Sequence, residues 1–533
     1  MKIETSSSVE LSSLLALCLV SLLFFKLVSM KKTRNTAAAA LPPGPTAYPI
    51  IGSLPQMLMN KPSFQWIHNF MQELNTEIAC IRLGRVHVIA VTSPELSREF
   101  LKKQDAVFAS RPDAVSARLV SDGYLTLALT PAGDQWKKMR KVLVSEVLST
   151  GVFRRLHARR CEEADHLVRY VLNQCQNQHQ NGRIDVRDVS RHYCGNVIRK
   201  MVFGERFFGG GERDGGPGVE EREHIDGLFT ILKFLYGFSI ADFVPWLEIF
   251  DFDGHKKIVA DAVKNVRKYQ DPKIDKRMEM WQRGIKKEEE DGDILDVLIN
   301  LKNLENEPLL SVREIKALIL EIMIETVDNP SNAVEWAMAE MINEPKILDK
   351  ACEELDRVVG KDRLVEESDL PKLNYVKACL RESFRLHPLA PFNVPHVSSE
   401  DTVVGGYFIP KASYVVLSRP GLGRNPRIWD DPLKFNPERH IIDETSEVVL
   451  TDPELRMLTF STGRRGCPGI VLGSTLSTML LARLIQGFSW RPPLDTNCID
   501  LAESEHDLAM AKPLIAHAMP RLDSPIYLQL IGN

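Results

Sequence analysis

The sequence predicts a mainly α-helical fold with a small β portion, behind an N-terminal membrane helix. Three observations carry this. Apolar residues recur at helical spacing through long stretches, over 150–205, 311–341 and 470–488. The β-branched runs are few and short, the clearest being 78–83 and 86–91. Leu11–Met30 is almost wholly apolar and long enough to cross a bilayer once. The 533 residues are 44% hydrophobic with a net charge of -4, which fits a globular enzyme with a large core and gives no support to nucleic-acid binding. Nine scattered cysteines, none in a zinc-type spacing, read as thiols in a reducing compartment.

Lys31, Lys32 and Arg34 follow the apolar run, whereas Glu4 and Glu10 precede it with Lys2. That asymmetry puts the body of the chain on the cytoplasmic side. A cleaved signal peptide is disfavoured, because no small-residue cleavage site precedes the basic cluster. Leu41-Pro-Pro-Gly-Pro45 then favours a stiff extended segment. The organisation expected is an anchor and basic stop over 1–34, a proline-rich hinge over 35–47, and the body over 48–533.

Within the body, Ser63–Leu74 reads as a helix, and Ile78–Leu83 with Val86–Val91 as a β-hairpin turning at Gly84-Arg85. Ser93-Pro94 starts a helix. Residues 105–130, with Phe108-Ala-Ser-Arg-Pro112, form an irregular stretch of a length that is often functional. Gly209–Gly218 reads as a flexible loop and 286–293 as a solvated charge run. Ser311-Val-Arg-Glu314 has the form of a capping box, followed by the apolar stripe Ile315, Leu318, Ile319, Ile322 and Met323. That helix should stop before Pro345. Pro330 in its middle has no N–H for the Thr326 carbonyl, which should open the helix locally.

The stretch with the most chemistry is Phe460-Ser-Thr-Gly-Arg-Arg-Gly-Cys-Pro-Gly469. Its glycines allow tight turns and leave main-chain N–H groups to point at the Cys467 sulfur. Arg465 is placed to meet an anionic edge. A lone cysteine is usually a buried small hydrophobe, but the full pattern resembles the heme-thiolate loop of the cytochrome P450 superfamily. The resemblance runs from about Pro42 to the end. It implies a mostly α heme-thiolate fold with a small β domain, and heme b with Cys467 as axial iron ligand, Phe460 and Gly469 lying in the same loop. Trp136 and Arg140, four apart on one helix face, match the motif that holds the heme propionates, as do His396 and Arg465. Glu382 and Arg385, which alone would read as a surface bridge, join Arg439 of Asn436–His440 in the family's buried structural network. The resemblance also implies electrons from NADPH through NADPH-cytochrome P450 reductase, docking near Lys137, Lys138 and Lys141. It places the chain in the endoplasmic reticulum membrane, with the catalytic domain in the cytosol.

Where the superfamily usually has Ala/Gly-Gly-x-Asp/Glu-Thr-Thr, this chain has Glu325-Thr-Val-Asp-Asn-Pro330. The acid remains as Asp328, but Asn329-Pro330 replaces the threonines. Asp328–Ala337, Asn393–Val397 and the 405–440 segment resemble the plant amino-acid N-monooxygenases, which convert an amino acid to an aldoxime through two N-hydroxylations. On that resemblance Glu325, Thr326, Asp328 and Asn329 are catalytic candidates, and Phe392, Asn393 and Val394 face the substrate. Arg118 is the candidate cation for the substrate carboxylate, and His506–Met510 a second turn lining the pocket. The subfamily carries a small residue at 325, and a Gly where this chain has Ala412. Glu325 either pairs with the substrate ammonium or a water chain, or turns into a polar groove and does little. Two other readings stay open: C-hydroxylation of a lipophilic metabolite, which a Thr at 329 would have favoured, and heme binding in the membrane without turnover. The sequence does not choose the amino acid.

Overall fold

The computed structural model describes residues 39–531 except 178–181, 207, 209–210, 212–213, 236, 287–291, 444–445 and 505–506. The expected membrane helix Leu11–Met30, much of the glycine-rich and charged loops, and His506 lie outside these residues. The main helices are α1 (Asp134–Val142), α2 (His157–Gln176), α3 (Val186–Phe203), α4 (Val219–Leu235), α5 (His255–Gln282), α6 (Val312–Asn343), α7 (Asn374–Leu386) and α8 (Ile470–Gly487). Among the described residues, α8 is the one helix long and apolar enough to cross a membrane, but it is mostly buried and serves as a core helix.

α6 is the axis of the helical part and packs against α3, α4, α7 and α8. Its capping box forms: Ser311 Oγ accepts the Glu314 N–H at 3.3 Å, and the Glu314 carboxylate accepts the Ser311 N–H at 2.9 Å. The helix runs through Pro330 without a break, so the expected opening is confined to the Thr326 carbonyl. Neighbouring carbonyls gain side-chain donors there. Asn329 Nδ2 donates to the Glu325 carbonyl at 3.0 Å, and Ser331 Oγ to that of Val327 at 2.7 Å.

The β portion holds a four-stranded sheet. The hairpin forms over the expected residues, β1 (Ile78–Leu83) pairing antiparallel with β2 (Val86–Val91) in the register Ile78↔Val91 to Leu83↔Val86. A second sheet was not foreseen. Residues 183–185 interrupt the expected helical stretch as the strand β3 (Arg183–Asp185). After the short strands β4 (His396–Val397), β5 (Thr402–Val404) and β6 (Tyr407–Ile409), the strand β7 (Tyr414–Leu417) completes the first sheet in the order β1-β2-β7-β4. β8 (Phe488–Arg491) and β9 (Ile515–Pro520) complete the second, β9 pairing with β3. Ala412, between β6 and β7, sits at φ 64°, which explains why glycine suits this position.

A buried carboxylate ties the 423–440 segment to α7. Glu382 and Arg385 are both fully buried. Arg385 donates to the two oxygens of Glu382 at 2.8 and 2.7 Å, and also to the Gly423, Pro432 and Lys434 carbonyls. Arg439 Nε and His440 Nε2 complete the shell of the Glu382 carboxylate at 3.0 and 2.7 Å. Burial would raise this carboxyl, but the Arg385 and His440 contacts win and hold it down at about 2. One residue before Arg385, α7 carries Phe384, whose ring meets Phe460 of the cysteine loop edge-on at 6.2 Å. Inside that loop Gly463 has φ +72°, and a Cβ there would fall 2.1 Å from the Leu101 carbonyl oxygen.

Three outcomes follow from these contacts. Glu382→Gln should cost about 3–5 kcal/mol in chemical denaturation at neutral pH, since it leaves buried cations without their partner. A carboxyl depressed from 4.5 to about 2 contributes stability that is full above pH 4.5 and lost as pH falls towards 2, so the variant should lack that acid-side slope. Gly463→Ala should lower the melting temperature, through both the clash and the left-handed backbone. Ala412→Gly should stabilise by about 1 kcal/mol, because the exposed methyl loses no packing and the strain is relieved.

Candidate active site

The cysteine loop, the middle of α6, α1 and the segment before β4 enclose one cavity of about 220 Å³. Cys467 stands at one side of it. Its N–H donates to the Phe460 carbonyl at 2.9 Å, closing the loop on itself. Gly469 lies beside the sulfur, where a Cβ would make an ordinary contact with it at 3.7 Å. Burial, and next the charge of Glu325, push the thiol up to about 12.

A second wall is cationic. Trp136 and Arg140 of α1, Arg465 of the loop, Arg111 and His396 all line the cavity. Arg465 lies over the Trp136 ring at 4.5 Å and Arg140 at 6.0 Å. Among the described residues, neither Arg140 nor Arg465 forms an ion pair. Burial, and then repulsion from Arg111 and Arg140, lower Arg465 to about 9. Among the described residues, the buried Trp136 indole N–H has no acceptor. His396 Nδ1–H donates to the Phe108 carbonyl at 2.7 Å, and burial followed by Arg111 keeps the imidazole neutral. Converging cations and an unmet N–H donor make this wall complementary to an anionic group with several oxygens.

α6 supplies Ile322, Glu325, Thr326, Asn329 and Pro330 to the lining. The side-chain amide of Asn329 is engaged by the Glu325 carbonyl. Burial, and then the neighbouring Glu321, raise Glu325 to about 8. Asp328 is not among the lining residues. It accepts from Asn332 Nδ2 at 2.5 Å, and burial raises it to about 7 against the pull of Arg191.

The residues expected at the substrate edge divide. Asn393 and Val394 line the cavity, as do Phe460 and Gly469 of the loop. Phe392 does not: it packs with His68 and Phe238 in the cluster beneath the first sheet. Arg118 is likewise away from the cavity, at the surface, 3.1 Å from Glu248. The cations that do reach the lining include Arg111 and Arg419. Both sit in stretches that stand out in the sequence, Phe108-Ala-Ser-Arg-Pro112 and the segment at 405–440, where the glycines draw attention from Arg419. The lysines of α1 are partly engaged, Lys138 by Glu314 at 2.7 Å and Lys137 by Asp134 at 3.1 Å. Near the chain's end, the Leu508 carbonyl accepts the Trp336 indole N–H at 3.1 Å, which fixes that turn against α6.

Residues 42–519 match the family described as Cytochrome P450. The chain is 54% identical to valine N-monooxygenase 1 of Manihot esculenta over 527 residues, covering 98% of this chain and 96% of that one. It is 56% identical to phenylalanine N-monooxygenase of Arabidopsis thaliana over 506 residues, 94% of each chain. With tyrosine N-monooxygenase of Sorghum bicolor the identity is 54% over 488 residues, 91% of this chain and 87% of the relative. A family match over most of the length, and relatives of this identity over nearly the whole chain, lead to one conclusion: the chain belongs to the cytochrome P450 family, as a monooxygenase of the amino-acid N-monooxygenase subfamily.

Proposed function

We propose that the chain converts an L-amino acid into its aldoxime by two N-hydroxylations, followed by loss of water and carbon dioxide. Each hydroxylation takes one dioxygen and two electrons from NADPH, delivered through a reductase. The observation that carries this reading is a single cavity that presents Cys467, the Glu325 carboxylate and arginine side chains together. Such a cavity suits a zwitterion better than a lipophilic substrate. The relatives' names support it, and because they cover valine, phenylalanine and tyrosine they do not choose the amino acid.

The residues fit heme b. Cys467 would hold the iron through its sulfur, and the wall of Trp136, Arg140, Arg465 and His396 would hold the propionates. That assignment gives the unmet Trp136 N–H and the crowded arginines their missing anion. A propionate beside His396 Nε2 would favour the imidazolium, since Nδ1 is already committed to a carbonyl. When bound, the heme supplies dioxygen activation, with the thiolate favouring O–O cleavage. The protein's part is to orient substrate and protons. Pro330 leaves the Thr326 carbonyl free beside the cavity, and Asn329 braces the same turn. Asp328, one helical face away, is a protonatable group behind that turn. Arg419, which lines the cavity, takes the role expected of Arg118, binding the substrate carboxylate. Leu11–Met30 anchors the chain in the endoplasmic reticulum membrane, with the domain over 48–533 in the cytosol.

The test combines the membrane-bound protein with a plant reductase and NADPH, offers each protein amino acid, and detects oximes by mass spectrometry. An oxime from one or a few amino acids is expected. No oxime from a preparation with a thiolate-type carbon monoxide spectrum would overturn the reading in favour of C-hydroxylation.

A further inference from the structure

α6 carries two acids one helical turn apart, Glu321 and Glu325, and their surroundings differ. Glu321 is satisfied by the backbone: its two oxygens accept the N–H groups of Leu127 and Ala128, each at 2.9 Å. Glu325 lines the cavity, its carboxyl near enough to Cys467 for its charge to raise the thiol. Among the described residues, that carboxylate accepts no hydrogen bond and forms no ion pair. Apolar neighbours on the same lining include Ile322, Val394 and Leu472. Arg111 is near enough to act on Glu325 electrostatically, yet its N–H groups donate to three carbonyls.

An ionised carboxylate facing a mostly apolar cavity is costly unless something in the cavity pairs with it, and without a partner burial holds the proton on Glu325 up to about 8. The sulfur side cannot supply a cation, and the arginine wall has its own complement in an anionic edge. The missing partner is therefore a cationic N–H donor carried by the occupant. We propose that Glu325 is the recognition residue for the α-nitrogen of the substrate: its carboxylate receives the α-ammonium and holds that nitrogen beside the α6 lining of the cavity. This rests on the amino-acid reading above and adds a specific contact to it. Since Glu325 and Cys467 line the same cavity, the contact brings the nitrogen, rather than the side chain, to the reacting end. An amino acid should bind in preference to the carboxylic acid of the same side chain that lacks the nitrogen, because only the former gives Glu325 a partner.

The test is an optical titration of the heme-loaded protein with two ligands: the amino acid identified by the oxime assay, and its deaminated carboxylic acid. Wild type is expected to bind the amino acid at least about tenfold more tightly than the deaminated acid, a preference of the size a buried charged contact gives. Glu325→Ala and Glu325→Gln should abolish that preference while leaving the deaminated acid's affinity unchanged or improved. Equal loss of both ligands would mark Glu325 as structural and overturn the proposal, as would a preserved preference in either variant. A wild-type ratio near one overturns it without any variant, which covers the case where a substitution prevents heme loading. The two levels separate cleanly. If wild type makes an oxime but the Gln variant keeps its discrimination, only the Glu325 contact falls. If wild type neither binds nor oxidises any amino acid, the substrate reading falls with it.

Discussion

The Glu382 carboxylate is the interaction on which the arrangement around the cavity depends. A fully buried negative charge is tolerable only when every oxygen is matched, so α7 must hold the 423–440 segment against itself through Arg385, Arg439 and His440. The same segment must approach closely: a Cβ at Gly423 would fall 2.2 Å from the Arg385 carbonyl oxygen. Trp429 fills the remaining space, with the Arg456 guanidinium 4.1 Å from its ring and Arg385 at 5.3 Å. The next residue back from Arg385, Phe384, lines the cavity and packs on Phe460. A charge network remote from the reacting atoms thus sets the position of the cysteine loop through one aromatic contact.

Within the cavity the electrostatics are divided rather than balanced. Burial, and then Arg111 and Arg140, lower the proton affinity of Arg465 on one wall, while on α6 burial and then Glu321 raise that of Glu325. Neither set is neutralised by the other, because the arginine N–H groups are taken up by main-chain carbonyls such as Ala109, Leu127 and Thr130. Charges kept apart in this way are complementary to ligands, and two kinds of ligand group are called for: an anion at the arginine wall and a cation at Glu325. Heme propionates and an α-ammonium meet those two demands. The pattern on α6 follows the same logic. Pro330 withholds a donor from Thr326, and the Asn329 and Ser331 side chains repair the carbonyls around it, so the helix stays straight enough to line a cavity while leaving one polar group unmatched.

What the sequence by itself determined is local. The capping box at Ser311 and the hairpin over 78–91 depend on side chains reaching a few residues along the chain, and they formed where the pattern placed them. The positive φ of Gly463 and of Ala412 belongs to the same class. The cysteine loop could also be read, because its glycines, arginine and sulfur lie within ten residues, although what the loop touches could not. Only the tertiary structure decided contacts between distant segments. Strand β3 exists because Ile515–Pro520, more than three hundred residues later, offers it a ladder of hydrogen bonds, and no local propensity announces such a partner. Arg118 and Arg419 are both arginines in suggestive stretches, yet one is drawn to Glu248 at the surface and the other lines the cavity. Phe392 was separated from its neighbours Asn393 and Val394 because it packs with His68 and Phe238 beneath the first sheet, a contact between distant segments. The identity of a residue fixes what chemistry it can offer; which cavity receives that chemistry is fixed by packing among segments far apart in the chain.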